Sequence, residues 1–567
     1  MRTHSDALPV PRRLSRVAAV IVCLFLAGCR HSAAPVAKTL PVAAVSPPTG
    51  GGLFVDATDQ VGIAYRWTIA GRRPLNVLQT IGNGCAFVDY DNDGNLDILL
   101  VGPKLALYQA DGHGKFTDVT HQTGLDRLTG HFLGCAVGDY DNDGYEDIYL
   151  SAYRGGLLLH NAGGKRFTDV TKVAGIAPQP WGTACAFVDI DSDGRLDIYI
   201  GNYVDFGPKT KPQMCDYGGV LTACGPRAYV PRKGVLYRNL GDGRFADVTT
   251  RWNATCASGK TLGIATADYD GSGRQSLYLG NDTVPSNLLK NLGTRFVDIG
   301  APSGTGYTGS GQINGIMGVD WGDYDNDGRI DLASAAFQHE SQSVYHNQGK
   351  GLFTDVAGDL GLVAPTQNYL RFGLKWLDAD NDGWLDLLMT CGHVQDNISA
   401  IDRDATYRQP SLFFQNEQGE HFSDKSSTVL AGPAGRPIVG RGLAIGDYDN
   451  DGRIDALVVD SEGAPLLLHN ETPRPGHWLE VALIGTASNR DGQGALVTVD
   501  TGGRTLLRQC TTNGSYLSAS DKRVHFGLGS ATVVQRVVVR WPGGRVDTRE
   551  GVRGDQCITL REGASSE

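Results

Sequence analysis

An acidic loop recurs along this chain and limits what the chain can fold into. Its first copy is DYDNDGNLD at residues 89–97, with carboxylates at loop positions 1, 3, 5 and 9 and glycine at position 6. Seven copies occur, and they begin at Asp89, Asp139, Asp189, Asp268, Asp323, Asp378 and Asp447. Repeat periods of roughly 50 residues are typical of propellers and solenoids. We therefore expect a repeat architecture over most of the chain.

Each loop lies between two strand-like segments, and two further strand patterns follow it. The third segment ends near an asparagine, as in LLLHN at residues 157–161. The fourth has the form Phe-Thr-Asp-Val-Thr, and its seven copies begin at Phe54, Phe116, Phe167, Phe245, Phe296, Phe353 and Phe422. Four short strands separated by turn residues are the content of one propeller blade.

The two sets of repeats are offset along the chain. The chain opens on a fourth-strand pattern at Phe54 and ends its last repeat on a third strand at residues 466–470. The sequence therefore predicts an all-β, seven-bladed β-propeller over residues 53–472, closed by pairing of residues 53–58 into the seventh blade. Such closure removes exposed sheet edges. The alternative is an open solenoid, which would leave residues 53–58 unpaired.

The loops have the composition of hard-cation sites. Ca²⁺ takes several oxygen ligands, which alternating aspartates on a tight loop supply while glycine permits the turn. Position 7 varies between copies, as expected if only its carbonyl binds. An EF-hand would need a bidentate Glu at position 12, where the first loop has Leu100. The remaining alternative is a set of acidic turns without metal, in which four carboxylates would repel one another.

We thus predict about six Ca²⁺ ions. The loop that begins at Asp268 ends in Ser276 and lacks two carboxylates, so it should bind weakly or not at all. The predicted ligands are Asp89, Asp91, Asp93, Asn95, Asp97, Asp139, Asp141, Asp143, Tyr145, Asp147, Asp189, Asp191, Asp193, Arg195, Asp197, Asp323, Asp325, Asp327, Arg329, Asp331, Asp378, Asp380, Asp382, Trp384, Asp386, Asp447, Asp449, Asp451, Arg453 and Asp455.

The first residues have the pattern of an export signal. Arginines precede an apolar run at residues 17–27, which is too short to span a bilayer as a mature helix. The run ends in LAGC, which looks like the lipobox of bacterial lipoproteins. We predict a lipoprotein-type signal peptide at residues 1–28, lipidation of Cys29 and a flexible tether at 29–52; the alternative is ordinary cleavage with an incidental thiol. The expected location is the bacterial cell envelope, at the outer membrane or cell surface, held by the lipid anchor.

Cysteine positions suggest disulfides in an oxidising compartment. Candidate pairs are Cys215 with Cys224, in an insertion of the third repeat, and Cys510 with Cys557 near the C-terminus. Three others occupy one repeat position, where other copies have Ile, Val or Leu, and are expected to be buried apolar side chains: Cys85, Cys135 and Cys185.

The C-terminal segment, residues 476–562, alternates apolar and polar residues between glycine turns. This pattern predicts a compact β-sandwich domain.

Short motifs accompany the loops. They are CGP at 224–226, NDT at 281–283, GHV at 392–394, SNR at 488–490, GSYLS at 514–518, HFGLG at 525–529 and WPGG at 541–544. With the loops, these motifs resemble the FG-GAP/VCBS repeat propeller proteins that end in an ASPIC/UnbV domain, the cartilage acidic protein-like family. The resemblance implies a Ca²⁺-binding propeller similar to the integrin α-subunit head and linked to adhesion or extracellular matrix. Two departures are Cys391, where the family usually has Asn, and the loop at Asp268.

Loops on the propeller face opposite the acidic loops are candidates for ligand binding. The longest are residues 201–234 and 391–411, and both are polar and aromatic. Long loops on a rigid scaffold commonly carry recognition. The candidate ligand surface comprises Tyr203, Asp282, His339 and His393; the alternative is that these loops are solvated insertions.

Charge and motif content narrow the functional class. The formal net charge is −11 and no basic stripe is present, which argues against nucleic acid. No nucleophile elbow, Walker loop or His-Glu-x-x-His motif occurs, and no catalytic residue is predicted. We expect a calcium-binding adhesion or binding scaffold whose partner is an extracellular or envelope protein or a glycan. The alternatives are a carbohydrate-active propeller enzyme and an envelope assembly subunit.

Overall fold

The computed structural model describes residues 53–473 and 475–564. The predicted signal peptide, the lipidation site Cys29 and the tether lie outside the described residues. Within the described residues, no helix combines the length and apolarity needed to cross a membrane.

The described chain folds almost entirely into short β-strands, which we group into repeats one to seven around the acidic loops. In each repeat the loop joins the first strand to the second. The strand β1 (Phe54–Asp56) precedes repeat one, which contains β2 (Cys85–Val88), β3 (Asp97–Leu100), β4 (Ala106–Ala110) and β5 (Phe116–Asp118). Repeat two contains β6 (His131–Gly138), β7 (Asp147–Gly155), β8 (Leu157–Asn161) and β9 (Phe167–Asp169). Repeat three contains β10 (Gln179–Val188), β11 (Asp197–Asn202), the hairpin β12 (Met214–Tyr217) and β13 (Val220–Ala223), then β14 (Val235–Asn239) and β15 (Phe245–Asp247).

The later repeats follow the same plan. Repeat four contains β16 (Thr261–Ala267), β17 (Ser276–Asn281), β18 (Asn287–Asn291) and β19 (Phe296–Asp298). Repeat five contains β20 (Ile316–Gly322), β21 (Asp331–Ala336), β22 (Ser343–Asn347) and β23 (Phe353–Asp355). Repeat six contains β24 (Arg371–Leu377), β25 (Asp386–Cys391), β26 (Leu412–Asn416) and β27 (Phe422–Asp424). Repeat seven contains β28 (Gly440–Gly446), β29 (Asp455–Asp460) and β30 (Leu466–Asn470).

Helices in the described residues are single turns in the connections. The α-helices are α1 (Val77–Thr80), α2 (Thr120–Thr123), α3 (Thr171–Ala174), α4 (Gly300–Ser303), α5 (Val363–Thr366) and α6 (Ser426–Val429). The 3-10 turns are Leu125–Arg127, Pro226–Ala228, Ala254–Cys256, Ile398–Ala400 and Gly432–Gly435.

Each repeat is an antiparallel meander, and β1 supplies the fourth strand beside β30. Its register pairs Phe54 with Asn470 and Asp56 with Leu468. The sheets of repeats two and three are joined because β10 also pairs with β7, Trp181 opposite Tyr153. The first strand of each repeat lies against the first strand of the next, and β28 lies against β2, so the order of neighbours returns to its start. The pattern is that of a β-propeller.

The core lies between neighbouring sheets. First strands are buried on both faces, as in β2, where all four residues of CAFV are buried. One apolar cluster combines Phe87 and Ile98 of repeat one with Ala444 and Leu457 of repeat seven. The cysteines of the repeat position, Cys85, Cys135 and Cys185, are free and buried in these clusters.

The C-terminal region contains two further sheets. Its strands are β31 (His477–Ile484), β32 (Leu496–Asp500), β33 (Thr505–Gln509), β34 (Val524–Gly529), β35 (Val533–Arg540), β36 (Val546–Arg553) and β37 (Gln556–Arg561). The strand orders are β34-β31-β37 and β33-β32-β35-β36, and β31 pairs with β37 in parallel. The two sheets share one apolar core, which includes Leu479, Val497, Phe526 and Val537.

Residues 512–521, which we call the channel segment, leave the C-terminal region and lie against first strands of the propeller. The Ser515 amide donates to the Val319 carbonyl at 2.6 Å, and the Phe87 amide donates to the Ala519 carbonyl at 3.2 Å. A Cβ atom at Gly84 would lie 1.8 Å from the Leu517 carbonyl oxygen, so only glycine leaves room there. The channel segment therefore fills the centre of the propeller.

Candidate metal loops and ligand cavity

Backbone amides shape every complete acidic loop in the same way. In repeat two, Asp139 at position 1 accepts hydrogen bonds from the amides of Asp143 (3.0 Å) and Gly144 (2.7 Å). Asp143 at position 5 in turn accepts from the Tyr145 amide at 2.9 Å. Position 4 has positive φ, +61° at Asn142, a conformation that asparagine tolerates better than most residues. These bonds turn the aspartates of one loop toward a common point.

The aspartate at position 9 anchors the loop to the sheet. Asp147 is fully buried and accepts from the amides of Tyr140 (3.2 Å) and Asn161 (2.7 Å). Burial raises the pKa of Asp147 to about 7 and that of Asp97, its counterpart in repeat one, to about 9. Burial disfavours ionised carboxylates, and an added cation would favour them.

Aspartates at several of the predicted ligand positions lie close together. Carboxylate oxygens of Asp89, Asp91 and Asp97 lie within 4.8 Å of one another, and so do those of Asp139, Asp141 and Asp143. Arginines at position 7 fold back on the position 5 carboxylate of their own loop, and these pairs are Arg195 with Asp193, Arg329 with Asp327 and Arg453 with Asp451. In these three loops the side chain at position 7 therefore brings a positive charge to the loop. The sequence analysis had assigned this position only a backbone carbonyl ligand.

A further residue of each repeat contacts the acidic loop and was not predicted from the sequence. It is the next-to-last residue of the third strand, and its side chain extends to the loop carboxylates. Its side chain differs between repeats. The contacts to loop carboxylates are Gln109 with Asp91 (2.6 Å), His160 with Asp141 (3.2 Å), Arg238 with Asp191 (2.5 Å), Lys290 with Asp270 (2.8 Å), His346 with Asp325 (3.3 Å), Gln415 with Asp380 (3.2 Å) and His469 with Asp449 (3.8 Å). The signal was available, since these residues stand directly before the Asn that the repeats share, or before Ala110 in repeat one.

The incomplete loop of repeat four contains cations of the protein itself. Lys290 pairs with Asp270, and Arg540 of the C-terminal region donates to Asp268 at 3.2 Å. Ser276 replaces the position 9 aspartate and accepts the Asn291 amide at 3.2 Å. The two remaining carboxylates of this loop are thus paired with a lysine and an arginine of the protein.

Asparagine at the end of the third strand links adjacent repeats. Asn161 Nδ2 donates to the carbonyls of Tyr90 in repeat one (2.7 Å) and Glu146 in its own repeat (3.0 Å). The same arrangement recurs at Asn239, Asn291, Asn347, Asn416 and Asn470. Repeat one has Ala110 instead. Loop asparagines add a second link, as when Asn142 donates to the Gly194 carbonyl at 2.9 Å.

The C-terminal region covers the face that carries the loops. Its Arg490 amide donates to Asn142 Oδ1 at 2.8 Å, and Arg523 Nη2 donates to the Asp447 carbonyl at 2.8 Å. The Arg504 guanidinium donates to the Asp382 carbonyl at 2.6 Å. Three different loops are therefore contacted.

A cavity of about 490 Å³ lies on the opposite face. Part of its lining comes from segments that follow second strands, including Tyr203, Asp282 and Phe337, and part from first strands, including Met317 and Phe372. Cys215 and Cys224 form a disulfide with an S–S distance of 2.09 Å, and both also line the cavity.

Asp282 is the buried acid of this cavity, with 7% of its surface exposed. Its Oδ2 accepts a hydrogen bond of 2.6 Å from the Tyr203 hydroxyl. Burial raises the pKa of Asp282 to about 6; the Tyr203 bond opposes that rise and the nearby Glu340 carboxylate adds to it.

The structure separates the four residues of the predicted ligand surface. Tyr203 and Asp282 line the cavity together. His339 is exposed outside it, with Nε2 3.0 Å from Asp402. His393 is 1% exposed, and its Nδ1 accepts the Gln395 amide, so placing His393 on an accessible surface was wrong. Burial, followed by the charge of Arg441, lowers the His393 pKa to about 4.

The predicted Cys510–Cys557 disulfide is contradicted, because both cysteines are free. Cys510 lies buried beside the carbonyls of Asp491 and Lys522, whereas Cys557 lies on β37 in the other sheet. Alternation along strands did not reveal that the two residues lie on separate sheets.

Family models match the regions just described. A model of FG-GAP-like repeats matches residues 89–150, 139–200 and 323–389, and a model of ASPIC and UnbV matches residues 485–567.

Sequence relatives include cartilage acidic protein 1. The Xenopus tropicalis protein is 26% identical over 304 residues, which are 52% of this chain and 43% of the relative. The Homo sapiens protein is 25% identical over 307 residues, 53% of this chain and 43% of the relative. The match therefore spans less than half the length of these curated relatives.

Solved structures with a similar course of the chain include an Agrocybe aegerita lectin that recognises non-reducing terminal N-acetylglucosamine. It is 14% identical, with a TM-score of 0.38, over 69% of this chain and 94% of the lectin. A streptogramin B lyase is 11% identical, with a TM-score of 0.37, over 69% of this chain and 94% of the lyase.

The chain thus contains FG-GAP-like repeats and an ASPIC and UnbV region, its strands have the pattern of a β-propeller, and its sequence is similar to cartilage acidic protein 1.

Proposed function

We propose that this protein is a calcium-stabilised, seven-bladed propeller scaffold that binds a ligand on the face opposite its metal loops. The seven-blade count is supported by seven groups of four strands, with β1 completing the last group. On the same proposal, residues 53–472 are the propeller and residues 476–562 are a β-sandwich domain, as the two C-terminal sheets with their shared core suggest.

The observation that carries the calcium proposal is the convergence of aspartate oxygens in the loops. Asp89, Asp91 and Asp97 supply hard oxygen ligands on a preformed turn, and the neighbouring side chain Gln109 is neutral. Ca²⁺ accepts six to eight oxygen ligands, so carboxylates, carbonyls and waters together fit its coordination better than that of smaller ions. Relief of repulsion among these carboxylates, of which Asp97 is buried and the other two are half-buried, would stabilise the folded state.

The ligand face is supported by the cavity beside Asp282 and by the long loops around it. The buried state of His393 gives no support to its use as a general acid or base, so a binding role is preferred to a carbohydrate-active enzyme. We further propose, from the lipobox pattern alone, that Cys29 anchors the protein at the bacterial envelope and that its partner is an extracellular or envelope protein or a glycan.

The testing experiment is a calcium titration of residues 30–567 after chelation, with melting temperature and bound-ion stoichiometry as readouts. Calcium should raise the melting temperature, and the Asp89→Asn, Asp97→Asn double variant should lose one bound ion. Asp242→Asn, an exposed carboxylate of repeat three outside the acidic loops, is the matched control. An unchanged melting temperature with no bound calcium would contradict the proposal.

A further inference from the structure

The cavity opposite the metal loops is apolar over most of its lining. Met317, Phe337, Phe372 and Ile401 contribute apolar surface. A volume of about 490 Å³ is within the range of small-molecule sites, which typically combine apolar walls with a few placed polar groups.

Two carboxylates are among those polar groups. Asp282 uses Oδ2 to accept from Tyr203, while its Oδ1 has no hydrogen-bond partner in the part of the chain that the structure describes. Glu340 uses Oε2 to accept from the amides of Gly315 (2.6 Å) and Phe337 (3.3 Å), and its other oxygen is similarly without a donor among the described residues. The cavity thus offers hydrogen-bond acceptors and negative charge.

Thr283, next to Asp282, is a second and independent sign of a built site. Its φ is +58°, a left-handed conformation that is strained for a β-branched residue. Its hydroxyl is buried without a hydrogen-bond partner in the described chain, and it lines the same cavity. Strained residues and unsatisfied buried groups cluster at binding sites.

The positive groups nearby act on these carboxylates without a direct ion pair among the described residues. Lys260 and Arg227 oppose the rise in the pKa of Asp282, and Arg371 and Arg227 oppose that of Glu340. Arg227 lines the cavity but is exposed, so solvent screens its charge. Lys260 is buried behind Asp282 and forms no ion pair within 4.0 Å in the described residues. Asp282 Oδ1 and the second oxygen of Glu340 therefore remain available to a donor from a ligand.

We propose that this cavity binds an organic amine, with the protonated amino group paired to Asp282 Oδ1 and the apolar body packed against Met317 and Phe372. The aromatic rings of Phe337 and Tyr203 add surfaces that attract cations, whereas the Phe372 ring already has the Arg441 guanidinium 3.8 Å from its centroid. This inference rests on the proposed ligand face and gives it a chemical class.

The test is isothermal titration of the calcium-loaded protein with 2-phenylethylamine, the neutral 2-phenylethanol and the anionic phenylacetate as matched probes. The amine should bind at least tenfold more tightly than the alcohol, and phenylacetate should not bind. Asp282→Asn should weaken amine binding at least tenfold, because asparagine keeps an acceptor for Tyr203 but removes the charge. Asp205→Asn, an exposed carboxylate of the repeat-three loop paired with Arg232, should leave binding unchanged.

A second variant tests the cavity while leaving Asp282 unchanged, by filling the cavity with a larger side chain. Met317→Trp should abolish amine binding while circular dichroism and the calcium-dependent melting temperature stay close to those of the unmodified protein. Equal binding of all three probes, binding that survives Asp282→Asn, or no amine binding would each overturn the inference. If calcium stabilises the protein and the amine does not bind, the amine assignment fails and the calcium scaffold stands.

Discussion

Arg238 donates from Nη2 to Asp193 Oδ2 at 2.8 Å, in the middle of an acidic loop that otherwise matches its neighbours. Its Nε also contacts Asp191, and Arg195 pairs with the same Asp193. The loop of repeat three thus holds two guanidinium groups where repeat one has the neutral Gln109. Loops that share one sequence pattern therefore differ in how much carboxylate charge is left unpaired and available to a cation.

Exchanging these side chains should exchange calcium affinity. Arg238→Gln should strengthen calcium binding in repeat three at least tenfold, and Gln109→Arg should remove a tight site from repeat one. Equilibrium dialysis with radioactive calcium over a range of calcium concentrations measures the affinity of each site in both variants. Arg244→Gln, a change at an exposed arginine of the same repeat, is the control; unchanged affinities in both test variants would show that the guanidinium does not compete with the ion.

Stability of the ion-free protein should fall as pH rises from about 6.5 to about 9. The hydrogen bond to Asp147 raises the His160 pKa to about 9, so stability from that pair is present below 6.5 and lost as pH rises through 9. Burial raises the Asp97 pKa from 3.8 to about 9, so the stability from its protonated form is present below pH 3.8, falls throughout this range as well and is lost as pH rises through 9.

Calcium should reverse this trend, since bound ions favour the ionised carboxylates. The calcium-dependent gain in melting temperature should therefore increase with pH, and calorimetry at several pH values with chelator or calcium measures it. A gain that shrinks toward pH 9 would contradict the assignment of these groups as ligands.

Removing one inter-repeat asparagine should be costly. Asn161→Ala leaves the carbonyls of Tyr90 and Glu146 without their donor in a buried position, at an expected cost of about 1–3 kcal/mol in unfolding free energy. Chemical denaturation measures the loss. Repeat one, which has Ala110 at the equivalent position, provides the control. Ala110→Ser removes no side-chain amide and should change the unfolding free energy by less than Asn161→Ala. Equal changes would contradict a stabilising role for the hydrogen bonds between repeats.

Tyr516 at the tip of the channel segment should contribute mainly through packing. It is fully buried, its ring is 4.9 Å from that of Phe372, and its hydroxyl donates to the Ile81 carbonyl at 2.8 Å. Tyr516→Phe removes the hydrogen bond and should cost about 1 kcal/mol, whereas Tyr516→Ala should cost about 3–5 kcal/mol. Thermal unfolding of both variants separates the contribution of the hydrogen bond from that of ring packing. Near-equal losses of stability in the two variants would show that ring packing contributes little.

The repeats made much of the fold predictable. Phe54 carries the fourth-strand pattern, and the offset of the repeats placed it beside the last strand, where β1 indeed pairs with β30. The loops were predictable for the same physical reason, since each is local and its hydrogen bonds join residues two to seven positions apart.

Long-range contacts were not predictable in this way. The GSYLS motif at residues 514–518 gave no sign that Leu517 would lie against Gly84 and Gly134, because those contacts join segments several hundred residues apart. His393 sits in a polar loop, yet Phe337 and Arg441 cover it. Of the four residues predicted to form the ligand surface, Tyr203 and Asp282 line one cavity, and their side chains share a hydrogen bond.

The pairing of Phe54 with Asn470 also limits when the propeller can close during synthesis of the chain. These residues are roughly 400 positions apart, so at about 5–20 residues per second synthesis of the intervening chain takes on the order of 20–80 seconds. During that interval β1 has no partner, and the outer edge of an unfinished array is open to other chains. The channel segment is made later still, so the centre of the propeller is filled only after its rim can close.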